Sequence, residues 1–311
     1  MRLTLQNINK SFGEKNVLNN ISLEVNGGEA LGLLGRNGAG KTTTIRIIMN
    51  VFPADDGEIL IDGKPIDRQR IKIGYLPEER GLYPKKIIFE QLLYFARLKG
   101  VPDAEAKKAI KYWLERLEMT EYMNKRLDVL SKGNQQKIQL ANTLVLDPDI
   151  IILDEPFSGL DPVNAVILKD VINERIKSGK TVFLSSHQMN YIEEFCENIA
   201  ILVNGQIAIA GRIKDIKRGY DRSKIIVTST DAENIKRFID GDLTDIVSQT
   251  ELTDQHLLVH LKRADLKNTF MNALSRFDID EFKVYEPSLN DIFVEHTGHE
   301  RETQPQPVIR D

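Results

Sequence analysis

The residues Gly35-Arg36-Asn37-Gly38-Ala39-Gly40-Lys41-Thr42 fit the pattern G-x-x-x-x-G-K-[ST]. Glycines let a backbone wrap an anion without Cβ clashes, so that the N–H groups of the loop and of a following helix face it. Lys41 has the reach for β- and γ-phosphates, and Thr42, with Thr43 beside it, offers a hydroxyl to Mg2+. A second chemical pair, Asp154-Glu155, closes the apolar run Ile150-Ile151-Ile152-Leu153. Ligands sit at the carboxyl ends of strands in open parallel sheets. There Asp154 suits the Mg2+ shell, directly or through water. Glu155, on the other side of the strand, suits the polarisation of an attacking water. The bland alternatives are a glycine-rich turn with a chance lysine and two solvated acids. The strand–loop–helix context of the first motif, and its pairing with the second, weigh against both.

These groups need rigid elements to aim them. Leu3, Leu5 and Ile8 alternate as one strand, and Ile21, Leu23 and Val25 as another that closes at Gly27-Gly28. The continuous apolar run 30–34 reads as a buried parallel strand, and a helix is expected over 41–51. Residues 88–146 read as several helices. A strand is expected over 149–153, a helix over Pro162–Lys177, and strands over Thr181–Ser185 and 199–203. Strands alternating with helices predict a parallel sheet covered on both faces.

The chain has 311 residues, which favours two domains. Its one cysteine, Cys196, excludes an internal disulfide framework, and no apolar run approaches the ~20 residues of a membrane span. The first ten residues lack an apolar signal core, so secretion is not expected. The net charge of −4 argues against nucleic acid as a partner. Residues 1–219 hold 31 Lys+Arg against 28 Asp+Glu, while residues 220–296 hold 9 against 15. The boundary is placed at that shift, with 297–311 expected as a mobile tail. The second segment reads strand 224–229, helix 231–239, strand 243–250, strand 255–261, helix 264–275 and strand 279–286. This is the split βαβ, ferredoxin-like order of a small α+β domain.

Further short motifs carry a family resemblance over residues 1 to about 215. Leu130-Ser131-Lys132-Gly133-Asn134-Gln135 resembles the LSGGQ signature of ATP-binding cassette (ABC) ATPases. Ser158-Gly159-Leu160-Asp161 resembles their D-loop, and His187 after Ser185-Ser186 resembles their switch histidine. Phe12 stands where the family carries an aromatic that stacks on adenine. The resemblance implies an α/β P-loop cassette, with a parallel core sheet, an antiparallel β subdomain and a helical subdomain. It also implies Mg2+-dependent ATP hydrolysis. Two copies would pair head to tail, with Ser131, Gly133, Asn134 and Asp161 of one facing the nucleotide held by Lys41, Glu155 and His187 of the other. Lys132 replaces the usual glycine. Glu78, in Tyr75-Leu76-Pro77-Glu78, stands where the family's Q-loop glutamine is expected after a strand like 72–76. It is taken as a metal and γ-phosphate group.

The stretch from Tyr75 to Pro84 and the element Pro287-Ser288-Leu289-Asn290-Asp291-Ile292-Phe293 resemble the ATPase subunits of bacterial drug- and sodium-extrusion systems. That branch implies an exporter subunit docked on the inner face of the membrane through a separate multi-span partner. Leu82 and Tyr83 are then either a docking anchor for that partner or part of the helical core. The rival readings are a soluble ABC ATPase acting outside transport and a nucleotide-dependent regulator.

Overall fold

The computed structural model describes residues 1–79, 81–253 and 256–298. The chain divides into two compact units. One is Met1–Ile213 together with Phe293 and the described residues after it; the other is Lys214–Ile292. The break precedes the charge shift at 219 by a short helix.

The first unit opens with the hairpin β1 (Arg2–Phe12) and β2 (Lys15–Asn26). In β2, Ile21, Leu23 and Val25 are buried and their neighbours exposed, the period-two pattern of a strand with one wet face. β3 (Ala30–Gly35) is buried at every position, because both faces of its sheet are covered. α1 (Lys41–Ile48) follows. It ends before 51: Asn50 turns left-handed at φ 61, Val51 N–H donates back to Arg46 O, and the Arg68 guanidinium caps the carbonyls of Ile47 and Ile48. β4 (Asp56–Ile61) and β5 (Lys64–Pro65) extend the hairpin to a four-stranded antiparallel sheet, β2-β1-β4-β5.

The chain then alternates. β6 (Ile73–Leu76) leads into the helices α2 (Ile88–Leu98), α3 (Asp103–Arg116) and α4 (Lys132–Leu144). β7 (Ile150–Asp154), α5 (Pro162–Lys177), β8 (Thr181–Ser185), α6 (Met189–Phe195), β9 (Asn198–Val203) and β10 (Gln206–Arg212) complete the unit. The core sheet runs β10-β9-β3-β8-β7-β6. All pairs are parallel except β10–β9, so the expected parallel sheet carries one antiparallel edge strand that the sequence reading did not find. Leu3, Leu5 and Ile8 of β1, Ile45 and Ile48 of α1, and Ile152 and Phe183 of the core sheet share one apolar cluster.

The second unit carries α7 (Ile213–Gly219, from its second residue), β11 (Lys224–Thr228), α8 (Ala232–Asp242), β12 (Val247–Leu252), β13 (Leu257–Leu261), α9 (Lys267–Ala273) and β14 (Glu281–Val284). Its antiparallel order, β12-β13-β11-β14, is the ferredoxin-like arrangement. β12 begins four residues later than expected, because α8 runs on to Asp242 and a turn follows it. A final helix, α10 (Leu289–Gly298), was not anticipated; it contains Thr297 and Gly298, assigned from sequence to the tail. Residues 299–311 of that tail lie outside the described residues. Among the described residues no helix is long and apolar enough to cross a membrane.

The second unit's core joins Ile225 and Val227 of β11 and Leu257 and Val259 of β13 to Ile235, Ile239, Phe270 and Leu274. Phe270 is fully buried there. Phe270→Ala is expected to destabilise this unit by about 3–5 kcal/mol. Urea unfolding of the two proteins side by side checks it; a loss under about 1 kcal/mol would show that the core closes around the gap.

Candidate functional site

The phosphate loop joins the end of β3 to the first turn of α1. Gly40 caps the helix at φ 111, and a Cβ there would lie 2.5 Å from Leu18 Cδ2. Backbone conformation and close packing therefore both demand glycine. Ala39 N–H donates to Arg36 O (3.1 Å), and Gly205 N–H from the β9–β10 turn donates to Ala39 O (3.1 Å), fixing the loop's outline. Arg36, Asn37, Gly38 and Thr42 are exposed, and Thr43 is half-buried. The first N–H groups of a helix have no intrahelical acceptor, so this end of α1 is open to an anion. Lys41 folds back, its Nζ donating to Gly35 O (2.6 Å) and Arg36 O (3.3 Å). Burial lowers its pKa, and Asp154, Glu155 and Glu78 oppose that shift.

Three carboxylates thus act on one ammonium. Asp154 ends β7, in register with Ser185 of β8. The Ser185 hydroxyl donates to Asp154 Oδ1, and Tyr75 OH of β6 donates to Oδ2 (3.4 Å). Burial first, and then Asp154, push the Tyr75 phenol up to about 12, so it stays a donor. Glu155 does not continue the strand to its other side. Its φ is +49, a left-handed conformation that costs an ordinary residue roughly 1–2 kcal/mol. Its N–H is held by Ser185 O (3.0 Å), and its carbonyl accepts from Ser158 N–H (3.1 Å). Its buried carboxylate accepts from Ser186 Oγ at Oε2 (3.1 Å), while Oε1 lies 3.4 Å from His187 Nε2. Burial raises the Glu155 pKa; His187 and Ser186 pull it back. The imidazole is 61% exposed, so it meets both the buried acid and the open side of the site.

A second group of expected residues gathers on α4 and α5. Ser131 caps α4, its Oγ accepting from Asn134 N–H (3.3 Å). Asp161 caps α5, accepting from Asn164 N–H (3.0 Å) and Asn164 Nδ2 (2.5 Å), and these bonds hold it below the usual carboxylate range. Gly133 is buried between them; a Cβ there would sit 3.2 Å from Asn164 Nδ2 and 3.3 Å from Leu160 Cδ2. Among the described residues no hydrogen bond or ion pair joins this group to Lys41 or Glu155. Phe12, at the end of β1, is half-exposed and meets Phe52 edge-on (5.4 Å, 88°). Lys10 Nζ, paired with Asp55, lies 5.6 Å from each ring.

The pair Leu82 and Tyr83 splits. Leu82 is buried, which removes it as a docking anchor. Tyr83 is exposed and stacked on Phe95 (6.0 Å, 4°), with its N–H on Gln91 Oε1 (3.0 Å). It lines a cavity of about 310 Å3 with Lys86, Glu90, Gln91 and Tyr94. Sequence reasoning assigned no role to Tyr75, Ser185, Ser186 or Phe52. Only the hydroxyls preceding His187 gave a signal, and their targets lie at and just past the end of the neighbouring strand.

The donors proposed for a cation are a Thr42 hydroxyl and the carboxylates of Asp154 and Glu78, all hard oxygens that suit Mg2+. Among the described residues no cluster of three His, Cys, Asp or Glu side chains could hold a metal by itself. Mg2+ takes one or two carboxylates and completes its shell with water and substrate phosphates.

Residues 18–158 match the family described as ABC transporter, and residues 211–297 match the C-terminal domain of ATP-binding proteins of the DrrA1-3-like kind. The ABC transporter ATP-binding protein YhaQ of Bacillus subtilis (strain 168) is 41% identical over 95% of this chain and 98% of its own length. The Nod factor export ATP-binding protein I of Paraburkholderia xenovorans (strain LB400) is 30% identical over 94% of this chain and 96% of its own. A solved ATP-binding subunit of an ABC transporter superposes with a TM-score of 0.64 at 31% identity, over 70% of this chain and 92% of that one.

The Glu155–His187 contact has a titration consequence. His187 lowers the pKa that burial raises. His187→Ala therefore leaves Glu155 protonated to a higher pH. The acid limb of the pH–rate profile for ATP hydrolysis is expected to move to higher pH, whatever happens to the maximal rate. A limb that stays in place would show that the two groups do not interact in solution.

Proposed function

As the chain belongs to the ATP-binding proteins of ABC transporters, whose family activity is ATP hydrolysis, we propose that Glu155 and His187 carry that hydrolysis here, beside Lys41 and Asp154. The observation that carries this is one buried carboxylate held between Ser186 and His187, next to the ammonium of the phosphate loop. On binding, ATP phosphates take the place of the Gly35 and Arg36 carbonyls at Lys41, and the first turn of α1 faces them. Glu155 accepts a hydrogen bond from a water and takes up its proton as the oxygen attacks the γ-phosphorus. The bond to the β–γ bridging oxygen breaks, giving ADP and phosphate. His187 orients the water and the γ-phosphate. Phe12 stacks on adenine. Thr42, Asp154 and Glu78 would hold Mg2+, which would supply charge neutralisation at the phosphates.

The second group of residues supports a two-copy arrangement. Ser131, Gly133, Asn134 and Asp161 present a helix N-terminus and polar caps, and among the described residues no hydrogen bond or ion pair joins them to Lys41 or Glu155 of their own chain. Facing the γ-phosphate of a second copy, head to tail, they complete its site and exclude water from it. The work is coupled to a separate membrane subunit, which places this chain at the cytoplasmic face of a membrane. The cavity beside Tyr83 and Tyr94 is the docking site in this reading, since aromatic side chains are favoured at interface centres. Export is favoured over import by the export function in the name of a relative that matches over nearly its whole length.

Two outcomes follow. Glu155→Gln should retain ATP affinity while turnover falls about 10²-fold or more, and an ATP-bound dimer should accumulate in size-exclusion chromatography. Adding Ser131→Arg should abolish that dimer without loss of nucleotide binding. Near-normal turnover of Glu155→Gln would move the base elsewhere, and a dimer that survives Ser131→Arg would end the head-to-tail reading. Separately, Tyr83→Ala with Tyr94→Ala should leave basal ATPase activity in place while reducing co-purification with the membrane subunit. Undiminished co-purification would exclude this cavity as the docking site.

A further inference from the structure

Glu78 stands just beyond the end of β6, with its carboxylate exposed. No strand partner holds the chain there, because the β6–β7 ladder stops at Leu76 paired with Leu153. A backbone leaving a sheet still needs partners for its carbonyls. They come from α4. Gln139 is almost fully buried, and its Nε2 donates to Glu79 O (3.1 Å) and Pro77 O (3.4 Å), the carbonyls on either side of Glu78. One turn on, the Thr143 hydroxyl lies 3.1 Å from Tyr75 O and 3.0 Å from Gln139 O, and shares its one proton between them. Residues four apart share a helix face, so a single face of α4 grips the run from Tyr75 to Glu79.

The grip is close as well as polar. A Cβ on Gly74 of β6 would lie 2.8 Å from the backbone oxygen Thr143 O, so strand and helix approach backbone to backbone without slack. Both ends of the gripped run act at the site already described. Tyr75 OH bonds Asp154, and the Glu78 charge reaches Lys41. Gln139 also lies eight residues along α4 from its cap Ser131, about 12 Å of helix. The same rigid element therefore carries the group proposed to meet the second copy's nucleotide and the group that fixes Glu78.

From this geometry we infer that Gln139 is a positioning residue, which sets the Glu78 carboxylate at the nucleotide site by bonding the peptide units around it. The inference rests on the reading of Glu78 as a metal and γ-phosphate group. Gln139 touches neither nucleotide nor metal. A buried amide that only filled space could be replaced by an apolar side chain of similar size without effect at the site. One that orients Glu78 could not, because its loss frees the loop at two carbonyls together.

The test uses the full chain with a non-hydrolysable ATP analogue and Mn2+ as the spectroscopic probe of the metal position. Mn2+ affinity is read by electron paramagnetic resonance, and analogue affinity is measured in the presence of a chelator. Gln139→Leu should weaken Mn2+ binding about tenfold, the usual consequence of losing an outer-shell support, with chelator-measured analogue affinity unchanged. Glu78→Ala should weaken it at least as much. The double variant should be no weaker than Glu78→Ala alone, because both substitutions remove one contribution. Gln139→Met, closer in shape, replaces Gln139→Leu if the latter lowers the melting temperature. If Glu78→Ala weakens Mn2+ and neither Gln139 variant does, the positioning role is wrong while the reading of Glu78 stands. If the effects of the two substitutions add, Gln139 acts elsewhere and the inference is overturned. If Glu78→Ala leaves Mn2+ affinity unchanged, the reading of Glu78 falls, and this inference with it.

Discussion

Two adjacent carboxylates at the end of a buried strand are the constraint around which the first unit is organised. Asp154 and Glu155 repel each other, and burial disfavours the charged form of Glu155. The fold meets this by giving each acid its own donors. Ser185 and Tyr75 serve Asp154, while Ser186 and His187 serve Glu155. Lys41 supplies a cation on which both acids act. The left-handed backbone of Glu155 belongs to the same solution, since it takes the second carboxylate out of the strand alternation and brings it to the loop after β8. Backbone strain of this kind persists where surrounding bonds over-determine it, and both the N–H and the carbonyl of Glu155 are tied.

That arrangement explains the strand order. β7 lies between β6 and β8, so the acids at its end are flanked by the strands that carry Tyr75 and Ser185. β3 pairs with β8 on its other side, which brings the phosphate loop to the same edge of the sheet. Parallel strands end together, so their carboxyl ends collect one functional group from each without any long loop. The helical elements then act from outside the sheet. α4 steadies the run after β6, and its own start, with that of α5, presents a separate polar surface.

The second unit is built on different lines. Its sheet is wholly antiparallel and its core is a single small apolar cluster under two helices. Its polar bonds include local ones as well as bonds between distant segments, such as Ser229 Oγ donating to Asp278 O (2.6 Å). Asp231 holds Asn234, Asp291 holds Ser288, and Lys236 pairs with Asp240 on one helix face. None of these bonds sets up a strained backbone or a buried carboxylate of the kind seen at Glu155.

The sequence by itself determined whatever is local. The phosphate loop is legible because wrapping an anion takes consecutive backbone units, and so leaves consecutive residues. The Asp154-Glu155 pair is legible for the same reason. Buried strands such as 30–34 and 150–153 appear as apolar runs, and the βαββαβ order of the second unit follows from alternating periods of two and about 3.6 residues. What only the tertiary structure decided are contacts between distant segments. Tyr75 meets Asp154 across 79 positions, Ser186 meets Glu155 across 31, and Gln139 meets Glu79 across 60. Each depends on which strands and helices are neighbours, and side-chain type carries no trace of that. The early end of α1 depends on Arg68 arriving from another segment, and the edge strand β10 is held by its pairing with β9. Leu82 and Tyr83 are adjacent and similarly apolar, yet one is buried and the other exposed, because the path of the folded backbone, rather than hydrophobicity, sets which side chain points inward.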